Sequence, residues 1–246
     1  MAAQENLIAS AAARRARRDA KRRAVLRFLR QHLWSSQDIL QQVMGLASRQ
    51  AAHKALTAME SEQLLRRHRF EALGGRVTLW GITPNGQAHA FDPGIEQPIA
   101  AYFEPSRVSE QTIRHQLDLQ GLRLRAEAAG WREWLDGDRI IGIGKEGKRP
   151  DALATDPQGR LVAVECERTL KSIKRYEQIL AFYLRAIRLE KFARVVWVSP
   201  TPEISLRVKT ILLGIQTVRV AGQQVRVEPQ RHHGALAFTD YGQWPR

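Results

Sequence analysis

Three acidic side chains in the second half of the chain have the spacing of a metal-dependent hydrolytic site. Asp151 lies in the run RPDAL, and Glu165 and Glu167 lie in the run VAVECE after a DPQG turn. Because strand side chains alternate between faces, Glu165 and Glu167 are expected on one face, and a hairpin would bring Asp151 beside Glu165. Clustered carboxylates repel each other unless a cation neutralises them. Hard oxygen ligands of this kind suit Mg²⁺.

A purely structural role for the same acids is also compatible with their spacing. They fit an edge strand with two solvated glutamates, or ion pairs with Arg149 and Arg168. The preceding apolar residues Leu161, Val162 and Val164 favour a buried strand, in which unpaired carboxylates are costly. The residues alone therefore leave the metal site and the structural role open.

The elements that would position these acids follow the pattern of an α/β sandwich around a mixed sheet. Long helices are predicted from 3.6-residue periodicity, and short strands from apolar runs bounded by turn residues. The predicted order is a helix at 109–129, strands at 139–144, 149–155 and 160–167, a helix at 169–190, a strand at 193–199, a helix at 201–215 and a strand or hairpin at 217–227.

The segment 34–91 has the order helix, helix, hairpin, which is typical of a winged helix-turn-helix. Ser36 and Ser48 are predicted to cap the two helices, Gly45 to end the first, and Gly74-Gly75 to form the hairpin turn. Such a module also occurs as a protein-interaction domain, so this alternative stays open. The residues predicted to contact DNA are Arg49, Gln50, His53 and Lys54 at the start of the second helix and Arg66, Arg67, Arg69 and Arg76 along the hairpin.

The positive net charge of the chain predicts a polyanionic partner. The chain carries a formal net charge of +14 with a pI of about 10.8, and residues 1–33 contain nine Lys or Arg against two acids. We predict a basic helical arm at 1–33 whose end packs on the body and whose exposed arginines contact phosphates. These arginines are Arg14, Arg15, Arg17 and Arg18.

Composition also sets broad limits on the class of protein. A Pro- and Gly-containing segment at 92–108 is predicted to link the winged-helix domain to a domain at 109–246. The single Cys166 excludes an internal disulfide framework and a multi-cysteine zinc site. No apolar run is long enough to span a bilayer, so we expect no membrane insertion. The single cysteine fits a reducing, cytoplasmic location.

The runs RPDAL and VAVECERTLKS resemble the PD-(D/E)xK nuclease pattern, with Glu167 where that pattern usually has Lys. An E-x-E variant occurs among enzymes of the restriction-endonuclease fold. From about residue 20 to about residue 220, the layout also resembles the replication-relaxation proteins, including a His-Gln-Leu run at 115–117. Within that group it is most similar to the MobC-type plasmid mobilisation relaxases.

The resemblance implies a restriction-endonuclease-like domain that uses Mg²⁺ or Mn²⁺ to nick one DNA strand at a plasmid transfer origin, which starts conjugative mobilisation. It implies Asp151, Glu165 and Glu167 as catalytic, metal-binding acids. Lys171, expected one turn into the next helix, would replace the missing motif lysine. Other mobilisation or coupling proteins would be partners.

Two further functions and two nucleophiles fit the same sequence. The chain could be a DNA-binding accessory or replication-initiation protein with a degraded site, or a regulator that uses the winged helix alone. The nucleophile could be water or a tyrosine hydroxyl. The available tyrosines are Tyr102, Tyr176, Tyr183 and Tyr241.

Overall fold

The computed structural model describes residues 10–72, 75–92, 94, 101–141, 148–220 and 222–245. The chain divides into two compact units, residues 1–120 and residues 121–246. The division falls within a long helix, after the predicted linker at 92–108. None of the helices in these described ranges is long and apolar enough to cross a membrane.

The first unit contains a three-stranded antiparallel sheet with strand order β1-β3-β2 and helices packed around it. Ser36 and Ser48 accept hydrogen bonds from Ile39 N and Ala51 N, which confirms both predicted caps. The predicted helix–helix–hairpin order is confirmed, and β1 and α4 are additional elements. Its elements are α1 (Ala11–His32), β1 (Trp34–Ser36), α2 (Gln37–Val43), α3 (Arg49–Ser61), β2 (Leu65–Ala72), β3 (Gly75–Ile82) and α4 (Pro84–Ala90).

The structure places Gly75, predicted in the hairpin turn, in a strand. Gly75 pairs with Ala72 as the first residue of β3, so it belongs to the strand. Its φ of 123° lies in the left-handed region that favours glycine. Gly74 lies outside the described residues.

The exposure of the side chains along helix α1 agrees with the predicted basic arm. The first half is exposed, whereas Val25, Leu26, Phe28 and Leu29 in the last turns are buried. Its apolar residues are confined to one end, so only that end gains free energy by packing.

One residue of the predicted linker, Phe103, belongs to the core of the first unit. Phe103 is buried against Trp34, Phe70 and Leu79, and its backbone N–H donates to Ile82 O at 2.9 Å. Helix α5 (Glu110–Ala128) adds Ile113 to the same cluster. Phe103 and Ile113 therefore place residues 101–108 and the first half of α5 with residues 34–91, which the Pro and Gly content did not indicate.

The second unit is built on a mixed five-stranded sheet with strand order β10-β7-β6-β5-β4. Strands β4, β5 and β6 are antiparallel, and β6, β7 and β10 are parallel. This confirms the predicted α/β class with a mixed sheet. After α5 its elements are β4 (Arg132–Asp136), β5 (Ala152–Thr155), β6 (Leu161–Cys166), α6 (Ile173–Arg188), β7 (Arg194–Ser199), α7 (Pro202–Gly214), β8 (Thr217–Val220), β9 (Gln223–Arg226), α8 (Pro229–His232) and β10 (Leu236–Asp240).

The first strand of this unit was predicted in the wrong place. In the predicted range 139–144, residues 140 and 141 are described and are not in a strand, and Arg139 ends a 3-10 helix. The edge strand is β4, whose register with β5 shifts between Arg132 and Leu135. A strand with such an irregularity lacks clean alternation, so periodicity did not identify it. Residues 142–144 of the prediction lie outside the described residues.

Candidate active site and basic cleft

The three predicted acids lie at one end of the β5–β6 hairpin. Ala152 pairs with Val164 across the two antiparallel strands, and continuing this register by one residue places Asp151 opposite Glu165. The backbone N–H of Cys166 donates to Asp151 Oδ2 at 2.8 Å. Glu167 follows the end of β6, and its N–H donates to the Val198 carbonyl at 3.0 Å. The sheet therefore brings all three acids to one place.

Glu165 is buried and bonded on both carboxylate oxygens. Lys148 Nζ lies 2.9 Å from Oε1 and 2.8 Å from Oε2. The Tyr183 hydroxyl of α6 also donates to Oε1. Lys148 Nζ lies 5.8 Å from the centre of the Tyr183 ring. An ammonium group and a phenol thus offset part of the desolvation cost of this carboxylate.

Glu167 is equally buried but is bonded on one oxygen. Lys171 Nζ donates to its Oε1. Its Oε2 is buried and has no hydrogen-bond partner within the described residues. Lys171 precedes Ser172, the N-cap of α6, so the prediction that it lies one turn into the helix is wrong. The loop position lets Lys171 turn back toward the sheet.

Burial shifts the titration of both glutamates in the same direction. Desolvation, and after it the negative charge of Asp151, raise the pKa of Glu165 to about 7 against the opposing effects of Lys148 and Tyr183. Desolvation likewise raises the pKa of Glu167, and Lys171 opposes that rise. Both groups therefore hold a proton more tightly than an exposed glutamate does.

The raised pKa of Glu165 predicts that the cation-free protein loses stability as pH increases. Its favourable contribution is complete below the ordinary value of 4.5 and is lost as pH rises through about 7. In EDTA, the free energy of unfolding of the parent, relative to Glu165→Gln, should fall by on the order of 3 kcal/mol over this window. Denaturant titrations at several pH values measure this difference. A constant difference would contradict the prediction, and Glu190→Gln controls for removing a carboxylate at an exposed site.

The three acids are of the ligand type that a hard divalent cation prefers. Asp151, Glu165 and Glu167 supply carboxylate oxygens, and Glu167 Oε2 is an acceptor without a partner in the described chain. Among the residues that the structure describes, no three His, Cys, Asp or Glu side chains are grouped closely enough to hold a metal ion. Lys148 and Lys171 bind the glutamate oxygens that such an ion would use.

Sequence reasoning missed two residues of this cluster, Lys148 and Tyr183. Lys148 stands three residues before Asp151, and that position was the only available signal. The sequence indicated Tyr183 only as one of the available tyrosines. Its ring is fully buried, and its hydroxyl contacts Glu165.

The tyrosines of this unit are poor candidates for a phenolate nucleophile. Tyr176 and Tyr183 are completely buried, and burial raises the pKa of Tyr176 to about 12 and that of Tyr183 well above its usual range. Burial also raises the pKa of Tyr241, whose hydroxyl lies 3.1 Å from Cys166 Sγ. These environments favour water over tyrosine as the attacking group.

A basic cleft of about 920 Å³ lies in the first unit between the start of α3 and the β2–β3 hairpin. Five residues predicted to contact DNA line it, together with Arg114 of α5, which sequence reasoning missed. The basic side chains and imidazoles lining it are Arg49, His53, Arg67, His68, Arg69, Arg76 and Arg114.

The arginines of the cleft are held weakly by acids. Arg49 lies 3.5 Å from Asp38, and Arg76 lies 2.9 Å from Glu71, in pairs that are mostly exposed. The Arg67 guanidinium lies 5.3 Å from the centre of the Trp80 ring. Exposed ion pairs contribute about 0–1 kcal/mol, so a phosphate group competes readily for these arginines.

The remaining predicted DNA contacts lie outside the cleft. Gln50, Lys54 and Arg66 are exposed but do not line it. The four arm arginines are exposed on α1, and Asp19 lies within 4.0 Å of Arg15 and 3.9 Å of Arg18. These four arm residues are Arg14, Arg15, Arg17 and Arg18. The cleft therefore contains only a subset of the residues that were predicted to contact DNA.

Comparisons of this chain with protein-family models, with curated proteins and with solved structures find no significant match.

Proposed function

We propose that this protein is a metal-dependent DNA endonuclease that nicks one strand, as the resemblance to the plasmid mobilisation relaxases implies. The observation that carries the proposal is the pair of buried glutamates at the end of β6, beside Asp151 and each bonded to a lysine. Acidic side chains and lysines grouped at the end of inner strands are suited to binding a metal cation and a phosphate together.

The order of elements in both units supports this proposal. The first unit has the element order helix, strand, two helices and a hairpin, which is compatible with a winged helix-turn-helix, in which the second helix of the motif enters the major groove. The second unit has a helix, three antiparallel strands, a helix and a parallel strand, which is compatible with the layout that the resemblance implies. Asp151, Glu165 and Glu167 lie at the end of the β5–β6 hairpin, which supports the role that the resemblance gives them.

Each side chain has a defined task in this chemistry. Asp151 and Glu165 would hold Mg²⁺ or Mn²⁺, which when bound neutralises charge on the scissile phosphate and lowers the pKa of a bound water. Glu167 has one oxygen without a partner in the described chain and would complete the ligand shell or orient the attacking water. Lys171 would supply positive charge near the phosphate.

We assign recognition of the DNA to the basic cleft of the first unit. Its arginines would contact the DNA backbone, and the start of α3 with Arg49 and His53 would lie closest to the bases. By the resemblance, the target is a plasmid transfer origin, and mobilisation or coupling proteins are the partners.

A second candidate function is a DNA-binding accessory or replication-initiation protein that does not cleave. The observation that favours it is that both glutamates are already neutralised by lysines, and that no three-residue metal group occurs in the described ranges. In that case the two glutamates and their lysines would form a buried ion network that stabilises the end of strands β5 and β6.

Nicking of supercoiled plasmid DNA, with and without Mg²⁺ or Mn²⁺, tests the proposal. We expect open circles only in the presence of the metal, and denaturing analysis of the new ends should show no protein bound to them. Tight DNA binding without any nicking, on plasmids with and without a transfer origin, would support the second candidate instead.

A further inference from the structure

The second unit has a groove between α6 and the β8–β9 hairpin, which we call the α6 groove. Val218 lies opposite Val225 in this hairpin, so the two side chains share a face. Val220 follows Val218 by two residues and lies on the same face. Leu184 and Ile187 line the groove from α6. The floor of the α6 groove is therefore apolar.

Positive charge surrounds this apolar floor. Arginines line the groove from three elements, α6, β9 and α8, and no Asp or Glu lines it in the described part of the chain. Three of these arginines are exposed, and within the described residues none of the three is paired with an acid. Their guanidinium groups are therefore available to an anionic group of an occupant. These three are Arg188, Arg226 and Arg231.

The size of the α6 groove limits what it can hold. Its volume is about 220 Å³, whereas pockets that enclose a whole small molecule have roughly 300–1,000 Å³. The groove therefore has room for one or two side chains. Val225 in the floor is 44% exposed, so apolar surface is open to an incoming group. An apolar side chain anchored in a pocket with a polar rim is the usual centre of a protein–protein interface.

The combination of floor and rim favours a peptide over nucleic acid. A DNA backbone offers phosphates to the arginines but no large apolar group to the valines. A peptide segment offers both, because an apolar side chain fills the floor while neighbouring carboxylates pair with the guanidinium groups. Arginine binds carboxylates through two parallel hydrogen bonds, which also fixes the orientation of the segment.

We propose that the α6 groove docks a segment of a partner protein in which acidic residues flank a bulky apolar residue. The apolar side chain lies between Leu184 and Val225, and the carboxylates pair with Arg188 and Arg226. This inference is independent of the proposed nuclease function, because the α6 groove and the acid cluster share no residue.

Fluorescence anisotropy with the full chain and three labelled hexapeptides tests the chemistry of the occupant. The peptide EDLFED has both features, EDSSED lacks the apolar residues, and QNLFQN lacks the charges. We expect EDLFED to bind at least about tenfold more tightly than either of the other two, because it alone uses both floor and rim. EDSSED also measures the general attraction of acidic peptides to a chain of net charge +14. Equal affinities for EDLFED and either of the other two peptides would overturn the proposal.

Variants of the full chain test the place of binding. Arg188→Gln with Arg226→Gln should weaken EDLFED about tenfold and leave QNLFQN unchanged. Arg207→Gln with Arg219→Gln is the matched control, because it removes two exposed arginines of the same unit that do not line the groove. Val225→Thr keeps the β-branched shape but adds a hydroxyl to the floor, and it should weaken EDLFED several-fold without changing EDSSED.

Two outcomes would contradict this docking site. Equal losses of EDLFED binding in the two double variants would reduce the interaction to general charge attraction. A short DNA duplex that displaces EDLFED, and that binds less tightly to the groove variant but not to its control, would assign the arginines to phosphates. Calorimetry shows whether each variant is folded, and Val225→Thr remains decisive if the groove double variant is not.

Discussion

Replacing Glu165 by Gln should lower the rate of plasmid nicking by about 10³-fold or more while leaving DNA affinity in EDTA unchanged. The substitution keeps the shape of the side chain but removes the charge that would hold the cation, and losing one electrostatic contact to the reacting group costs about that much. Glu165 belongs to the second unit and does not line the basic cleft. Nicking rates at saturating protein, with DNA affinity measured in parallel, test both expectations.

Glu190→Gln is the matched control, because it removes an exposed carboxylate in the loop that follows α6. It should nick at the parental rate. Calorimetry of both variants separates loss of chemistry from loss of fold. A folded Glu165→Gln protein that nicks at the parental rate would remove Glu165 from the proposed catalytic set.

Neutralising three arginines of the cleft should lower DNA affinity by about 10³-fold. Arg49, Arg67 and Arg69 line the cleft from α3 and β2, and each phosphate contact that is lost costs about tenfold at moderate salt. The triple Gln variant should also reduce the slope of log affinity against log salt by roughly 3. Fluorescence anisotropy at several salt concentrations measures both quantities.

Arg66→Gln is the control for this experiment, since Arg66 is exposed on the same strand as Arg67 but does not line the cleft. It should weaken binding several-fold less than Arg67→Gln does. Equal losses at Arg66 and Arg67 would mean that DNA follows the whole hairpin, as the sequence predicted, and that the cleft has no special role.

Local chemistry made most of the secondary structure predictable. Ser36 and Ser48 cap their helices because a side-chain oxygen satisfies an N–H within three residues, and both partners lie in the same short stretch of sequence. The continuous apolar run of β7 required burial on both faces. The DPQG turn that joins β5 to β6 and brings Asp151 opposite Glu165 is likewise local in sequence. The sequence by itself therefore determined most of the elements, the mixed class of the sheet and the approach of Asp151 to Glu165, but it did not indicate β1, α4, β4 or β10.

The partners of those acids depend on packing between residues that are distant in sequence. Lys148 comes from the segment before β5, and Tyr183 comes from the middle of α6. Neither has a periodicity that relates it to Glu165. The cleft is a similar case, because it brings Arg114 of α5 to the hairpin arginines and leaves Arg66 outside.

The tertiary structure also decided to which of the two units each chain segment belongs. Phe103 and Ile113 belong to the first unit because they are buried in the core around Trp34, and apolar burial at this site outweighs the linker-like composition near Phe103. The sequence determined which residues carry charge and where most of the strands and helices form. The tertiary structure alone decided which charges meet, because side-chain contacts across elements depend on packing, which a local pattern does not record.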